Sequence, residues 1–232
     1  MSPVFDCRDA DQLLPAMRAA RQAIGRGELI VLPTDTVYGV AADAFNPAAV
    51  ARLLEAKGRG RQSPPPVLVS GPATLRALVA ELPEPVERLT ERFWPGGLTI
   101  VLPAQPSLTW DLGETHGTVA VRMPDDRFAR EVLEECGPLA VSSANLTGKP
   151  AALSVDEAID MLGERVATYF DGGFVRTGVA STIIDATRLT GGATGPVTVL
   201  REGAISREQL GEVLGDLLAP APGAEGTEAD SA

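Results

Sequence analysis

The chain has 232 residues, 44% hydrophobic but only 4% aromatic, so it can bury one substantial core built from Val, Leu, Ile and Ala. Met1–Asp11 has neither a basic start nor an apolar run, and no stretch reaches the roughly 18 apolar residues of a membrane helix, so a cytoplasmic protein without membrane contact is expected. The net charge of −11 argues against whole-surface nucleic-acid binding, which needs a basic face, and the distant Cys7 and Cys136 read as free thiols.

The pattern then alternates helices and strands. Asp11–Arg26 carries apolar residues at helical spacing and is ended by Gly25 and Gly27; Leu29–Leu32 reads as a buried strand stopped by Pro33. Asn46-Pro47 caps and opens a helix running to about Ala56, and Val67–Val69 is a second buried strand. Helical patterns follow at Ala73–Glu81 and Pro85–Phe93, then strands at Leu98–Leu102 and Thr118–Val121, a helix at Arg127–Glu135 and a strand at Leu139–Ser142. Ser154 with Glu157 predicts a capping box before Ala158–Leu162. Strands are expected at Thr182–Ile184 and Val197–Leu200, and Ser206 with Gln209 opens a last helix to about Leu218. Residues 1–218 are therefore expected to form one domain and 219–232, rich in Pro, Gly, Ala and acids, a disordered tail. The alternation predicts an α/β sheet covered by helices, and the long connections at 103–117 and 171–180 point to mixed strand directions.

Four segments carry polar chemistry at predicted strand or helix ends, where ligand sites of open α/β sheets gather. Pro33-Thr34-Asp35-Thr36-Val37-Tyr38-Gly39 offers hydroxyls for a small polar ligand, or equally an ordinary turn leaving a strand. Lys57-Gly58-Arg59-Gly60-Arg61-Gln62-Ser63, ending in Pro64-Pro65-Pro66, follows a helix C-terminus; its cations complement the helix dipole or, with the glycines giving flexibility, wrap an anion. In the third, Val119–Pro124 taken together with residues 142–149, Arg122 emerges from an apolar strand, either as a surface partner of Asp125 or Asp126 or as a ligand-binding cation. Ser142-Ser143-Ala144-Asn145-Leu146-Thr147-Gly148-Lys149 supplies hydroxyls and an amide but is no P-loop, because Pro150 follows the lysine where Ser or Thr is required. Ser181-Thr182 opens a strand and Arg201 closes one. With one histidine, His116, there is neither a multi-histidine metal site nor a Ser–His–Asp arrangement. Cations, hydroxyls and an amide suit a phosphate-handling enzyme.

In order, PTDTVYG at 33–39, KGR at 57–59, FWPGGLT at 93–99, VAVRMP at 119–124, SANLTG at 143–148, STIID at 181–185 and LREGAIS at 200–206 closely resemble the YrdC-like family. The resemblance implies a twisted, mixed parallel/antiparallel sheet flanked by helices around a concave basic cavity. It also implies a nucleotidyltransferase that condenses L-threonine, bicarbonate and ATP to threonylcarbamoyl-adenylate, which a downstream transferase uses beside the tRNA anticodon. By position, Thr36, Leu68, Arg122, Ser143 and Ser181 resemble threonine contacts. Lys57, Arg59, Ser63, Thr118, Asn145 and Arg201 resemble ATP contacts, and Lys57, Arg59, Ser143 and Asn145 match the signature quartet. Lys57 and Arg59 are expected on an exposed loop. Mg²⁺ is expected on the ATP phosphates, with no protein-only metal site and no obligatory direct tRNA binding. Two other classes share the fold: a double-stranded-RNA-binding module and a carbamoyl-transfer domain. Ser142, Pro65 and Leu153 depart from the usual pattern, and the chain reads as the short form without the second domain of long members.

Overall fold

The structure is a computed structural model that describes residues 2–175, 177–192 and 194–221. Seven helices and ten strands follow one another as β1 (Val4–Asp6), α1 (Ala10–Gly25), β2 (Ile30–Leu32), β3 (Gly39–Asp43), α2 (Pro47–Lys57), β4 (Val67–Leu68), α3 (Pro72–Leu78), α4 (Glu84–Phe93), β5 (Leu98–Pro103), β6 (Thr118–Arg122), α5 (Arg127–Cys136), β7 (Leu139–Ser143), α6 (Val155–Leu162), β8 (Thr168–Asp171), β9 (Thr182–Asp185), β10 (Thr198–Arg201) and α7 (Arg207–Leu214). Among the described residues, these ten strands join one sheet in the order β1-β8-β2-β3-β7-β4-β6-β5-β9-β10. Its directions are mixed, as expected: β1/β8, β2/β8, β4/β6 and β5/β9 run parallel, and the other neighbours antiparallel.

The two halves of the sheet are covered differently. Along β2 and the residue before it, Leu29 and Val31 enter a core with α2 and α6, while Ile30 and Leu32 enter another with α1 and α5. Alternate side chains of a strand face opposite sides, so this half is buried on both faces. In β5, Leu98, Ile100 and Leu102 pack against α3, α4 and α7, but Thr99 and Val101 face an open cleft. β6 and β9 follow the same rule, with Val121 and Ile184 inward and Ala120, Arg122 and Ile183 toward the cleft. The uncovered face of this half is the floor of the site.

Local signals explain most boundaries. Asn46 accepts hydrogen bonds from the amides of Ala48 and Ala49, with Pro47 in the first turn where its missing N–H costs nothing. Ser206 and Gln209 form the full reciprocal capping box of α7. Four expectations need correction. Ser154 accepts from the Glu157 amide, but the Glu157 carboxylate turns back to the Leu153 amide at 2.8 Å, so only half of that box forms. α7 stops at Leu214, because Gly215 turns out of the helix at φ +53° into a short 3₁₀ turn. α3 stops at Leu78 because Val79 is extended and bridges Ala104. Strands β1, β3 and β8 were not anticipated. The expected tail at 219–232 lies outside the described residues from 222 onward; Ala219 itself donates its amide to Val197 O at 2.9 Å.

Candidate active site

The open face of β5, β6 and β9 is walled by the β2–β3 loop, residues 59–66, residues 112–118 and the end of β7, enclosing a cleft of about 370 Å³. Of the residues the resemblance singled out, Thr36, Arg59, Leu68, Thr118, Arg122, Ser143, Ser181 and Arg201 line this cleft; Lys57, Ser63 and Asn145 do not.

The β2–β3 loop is held by its own hydroxyls. Thr34 Oγ1 donates to Val37 O at 2.6 Å and accepts from the amides of Thr36 and Val37. The Thr34 and Thr36 hydroxyls lie 3.1 Å apart, and Thr36 Oγ1 accepts from Arg122 Nη1 at 2.9 Å. Beyond it, Tyr38 is fully buried; its hydroxyl donates to Gly173 O at 2.7 Å and accepts from the Gly172 amide, which ties the 171–173 turn to this loop. A Cβ on Gly39 would stand 2.7 Å from Val141 Cγ1, so the close approach of β3 to its neighbour requires glycine.

Arg122, at the end of β6, is 6% exposed. It is not the surface partner of Asp125 or Asp126 that the sequence allowed. Its Nε donates to Gly96 O at 2.9 Å, and Nη2 pairs with Asp35 Oδ1 at 2.5 Å. Three of its five N–H groups are thus occupied, leaving one on each terminal nitrogen. Burial pulls the guanidinium pKa down, Asp35 opposes that, and Arg201 adds to it; the group stays charged because an arginine titrates so high. Asp35 also accepts the Asp125 amide at 2.9 Å, an anchoring role the sequence reading missed; its place one residue before Thr36 was the available signal.

The three cations of 57–61 go three ways. Arg59 enters the cleft and reaches Ser142 Oγ at 3.5 Å. Arg61 turns outward onto Asp111, at 2.8 and 3.0 Å, while its carbonyl accepts the Glu114 amide; this loop is strapped to the 111–114 loop and does not hang free. Lys57 is not on an exposed loop: it is the last residue of α2 and 1% exposed. Burial, reinforced by Arg59, pushes its ammonium down to about 8. Ser63 sits beside the cleft in the same loop, its amide bonded to Gly60 O. His116 is exposed at φ +51° and does not line the cleft.

On the opposite wall, Thr99 and Ser181 hydroxyls lie 2.8 Å apart, and Arg201 donates to Ser181 O at 2.7 Å and to its Oγ at 3.1 Å. Burial lowers the Arg201 pKa, and Arg59 adds to it, which places these two cations around one cavity. Gly203 lets the following turn press on Ala180 and Ser181, where a Cβ would overlap the Ala180 carbonyl. No carboxylate lines the cleft among the described residues, and no cluster of three or more metal-ligating side chains occurs among them. No described helix is long and apolar enough to cross a membrane.

The comparisons with known proteins converge on one group. A family model for Sua5, YciO and YrdC proteins, described as "Telomere recombination", matches residues 22–203. A Mycobacterium leprae protein provisionally named threonylcarbamoyl-AMP synthase is 49% identical, over 93% of this chain and 95% of its own. The threonylcarbamoyl-AMP synthase of Pyrococcus abyssi is 37% identical over 87% of this chain, which spans only 58% of that longer protein. The crystal structure of Pyrococcus abyssi Sua5 complexed with L-threonine superimposes with a TM-score of 0.85 at 34% identity, covering 94% of this chain and 62% of that one. With its mixed sheet, its open cleft and these matches in agreement, the chain belongs to the Sua5/YciO/YrdC family.

Proposed function

We propose that this chain is an L-threonylcarbamoyladenylate synthase, supplying threonylcarbamoyl-AMP from L-threonine, bicarbonate and ATP for threonylcarbamoyladenosine in tRNA. The observation that carries the reading is the one cleft that Thr36, Arg122, Ser143, Ser181, Arg59 and Arg201 line together, along with relatives named for this activity. The two spare N–H groups of Arg122, one on each terminal nitrogen, suit the threonine carboxylate as a bidentate acceptor. Thr36, Leu68 and Ser181 complete that end of the pocket.

The threonine amine adds to bicarbonate with loss of water. A carbamate oxygen then attacks the ATP α-phosphorus as the bond to the β-phosphate oxygen breaks and pyrophosphate leaves. Arg59 and Arg201 offset the charge that builds on the leaving phosphates, and Thr118 borders the same end of the cleft. Mg²⁺ arrives as part of the ATP substrate; with no carboxylate in the described lining, phosphates and water would hold it. The product passes to a tRNA-modifying transferase, in the cytoplasm, and the reaction does not require this chain to bind tRNA directly.

Pyrophosphate release, with threonine and bicarbonate omitted in turn, tests the reading. Release that needs both supports it, and release without threonine points to another carbamoyl acceptor. Arg122→Ala should raise the KM for threonine at least tenfold, about 1.4 kcal/mol, and change the KM for ATP much less.

A further inference from the structure

The signature quartet divides once its hydrogen bonds are counted. An ammonium has three donors and no acceptor. Lys57 Nζ directs all of them at the loop after β7: to Ser143 O, to Asn145 O at 2.8 Å and to Asn145 Oδ1 at 3.3 Å. The Asn145 amide group is equally committed, giving its two N–H bonds to Leu146 O at 2.9 Å and Lys149 O at 2.7 Å. The main chain repeats the link, since Thr147 N donates to Lys57 O at 3.0 Å. Lys57 and Asn145 are 1% and 7% exposed, and neither lines the cleft. Their chain neighbours do: Ser143 lies two residues before Asn145, and Arg59 two residues after Lys57.

We infer that Lys57 and Asn145 are positioning residues that staple the C-terminal end of α2 to the loop after β7, fixing Ser143 and Arg59 in the cleft without touching ATP or threonine. Three oxygens converging on one point suit a compact ammonium; a planar guanidinium fork would not reach all three, and an apolar side chain would leave them without a donor. The inference rests on the synthase reading for what Ser143 and Arg59 do, but the staple itself is a property of the ligand-free protein.

The chain has two lysines, Lys57 and the exposed Lys149, so ¹⁵N-labelled lysine gives a side-chain NMR spectrum of two ammonium groups with an internal control. In substrate-free protein the Lys57 signal should exchange slowly with water, unlike that of Lys149, and should keep its slow exchange and its position when ATP saturates the cleft. A Lys57 signal that appears only with ATP, or acquires coupling to phosphorus, overturns the inference. As a second arm, Lys57→Met should weaken threonine binding about tenfold in the absence of ATP, through the displaced Ser143, and also lower the ATP-to-AMP affinity ratio, through the displaced Arg59. Arg59→Ala should lower the ATP-to-AMP affinity ratio. If Lys57→Met lowers that ratio and leaves threonine affinity intact, Lys57 is a triphosphate contact and the staple is wrong. If the wild type releases no pyrophosphate, the synthase reading fails alone, because the substrate-free spectrum still decides the staple.

Discussion

Asp35 shows how a residue with no obvious claim on the chemistry can govern one that has. Its carboxylate receives Arg122 Nη2 at 2.5 Å and the Asp125 amide at 2.9 Å, and Thr177 Oγ1 donates to its carbonyl at 3.0 Å. Three segments meet there, around an arginine whose two free N–H groups must point at a ligand. Two effects of Asp35 oppose each other: it orients the guanidinium, and its negative charge competes with an incoming carboxylate. Orientation should win, because a mostly buried guanidinium without its carboxylate is uncompensated and is held only by Gly96 O and Thr36 Oγ1. Asp35→Asn is thus expected to raise the KM for threonine about tenfold with little change in the KM for ATP, read from initial rates of pyrophosphate release. A fall in the threonine KM would make charge competition the larger effect. At this scale the sequence revealed residue types better than orientations. The cations at 57, 59 and 61 were visible, but their divergence depends on Ser143 and Asn145, on Ser142, and on Asp111, all at least 50 positions away.

Elements with their own start and stop signals were legible; those defined only by neighbours were not. Asn46-Pro47 and Ser206…Gln209 announced α2 and α7 because caps are local chemistry. β3 escaped notice because Gly39-Val40-Ala41-Ala42-Asp43 has weak strand propensity; it is a strand because β2 and β7 flank it and bury it. β1 (Val4-Phe5-Asp6) and β8 (Thr168-Tyr169-Phe170-Asp171) each end in aspartate and lack the wholly apolar run that marks β2. The α7 cap gives a clean test of local stabilisation. Ser206→Ala removes the acceptor for the Gln209 amide and should cost about 1 kcal/mol, lowering Tm by about 2–4 °C. The adjacent turn has its own anchor: Thr182 Oγ1 accepts the amides of Gly203 and Ile205 and donates to Ile205 O. Arg201 should therefore hold its place, and the KM for ATP should stay unchanged while Tm falls. A KM shift would show that the cap reaches the cleft through that turn.

At the scale of the whole molecule, burial and charge together separate a small-substrate enzyme from a nucleic-acid-binding module. β2 and β3 are covered on both faces, and β5, β6 and β9 on one, so the open face is a pocket for a small ligand. Outside it, Arg8, Arg26, Arg61, Arg76, Arg88 and Arg127 each pair with a carboxylate at 2.7–3.0 Å. Arginines compensated in this way release few counterions from a duplex, and the net charge of −11 repels it at longer range. Within about 8 Å, the screening length near 0.15 M salt, the cleft cations still act on a bound triphosphate. The expected outcome is that a double-stranded RNA of about two helical turns binds more weakly than the ~10⁻⁴ M limit of ordinary non-specific association at that ionic strength, while ATP binding persists. Fluorescence anisotropy of a labelled duplex measures the first and calorimetry the second. RNA affinity in the micromolar range, with a steep loss on added salt, would mean that the cleft arginines act on a polymer backbone and that the overall charge is a poor guide to the partner.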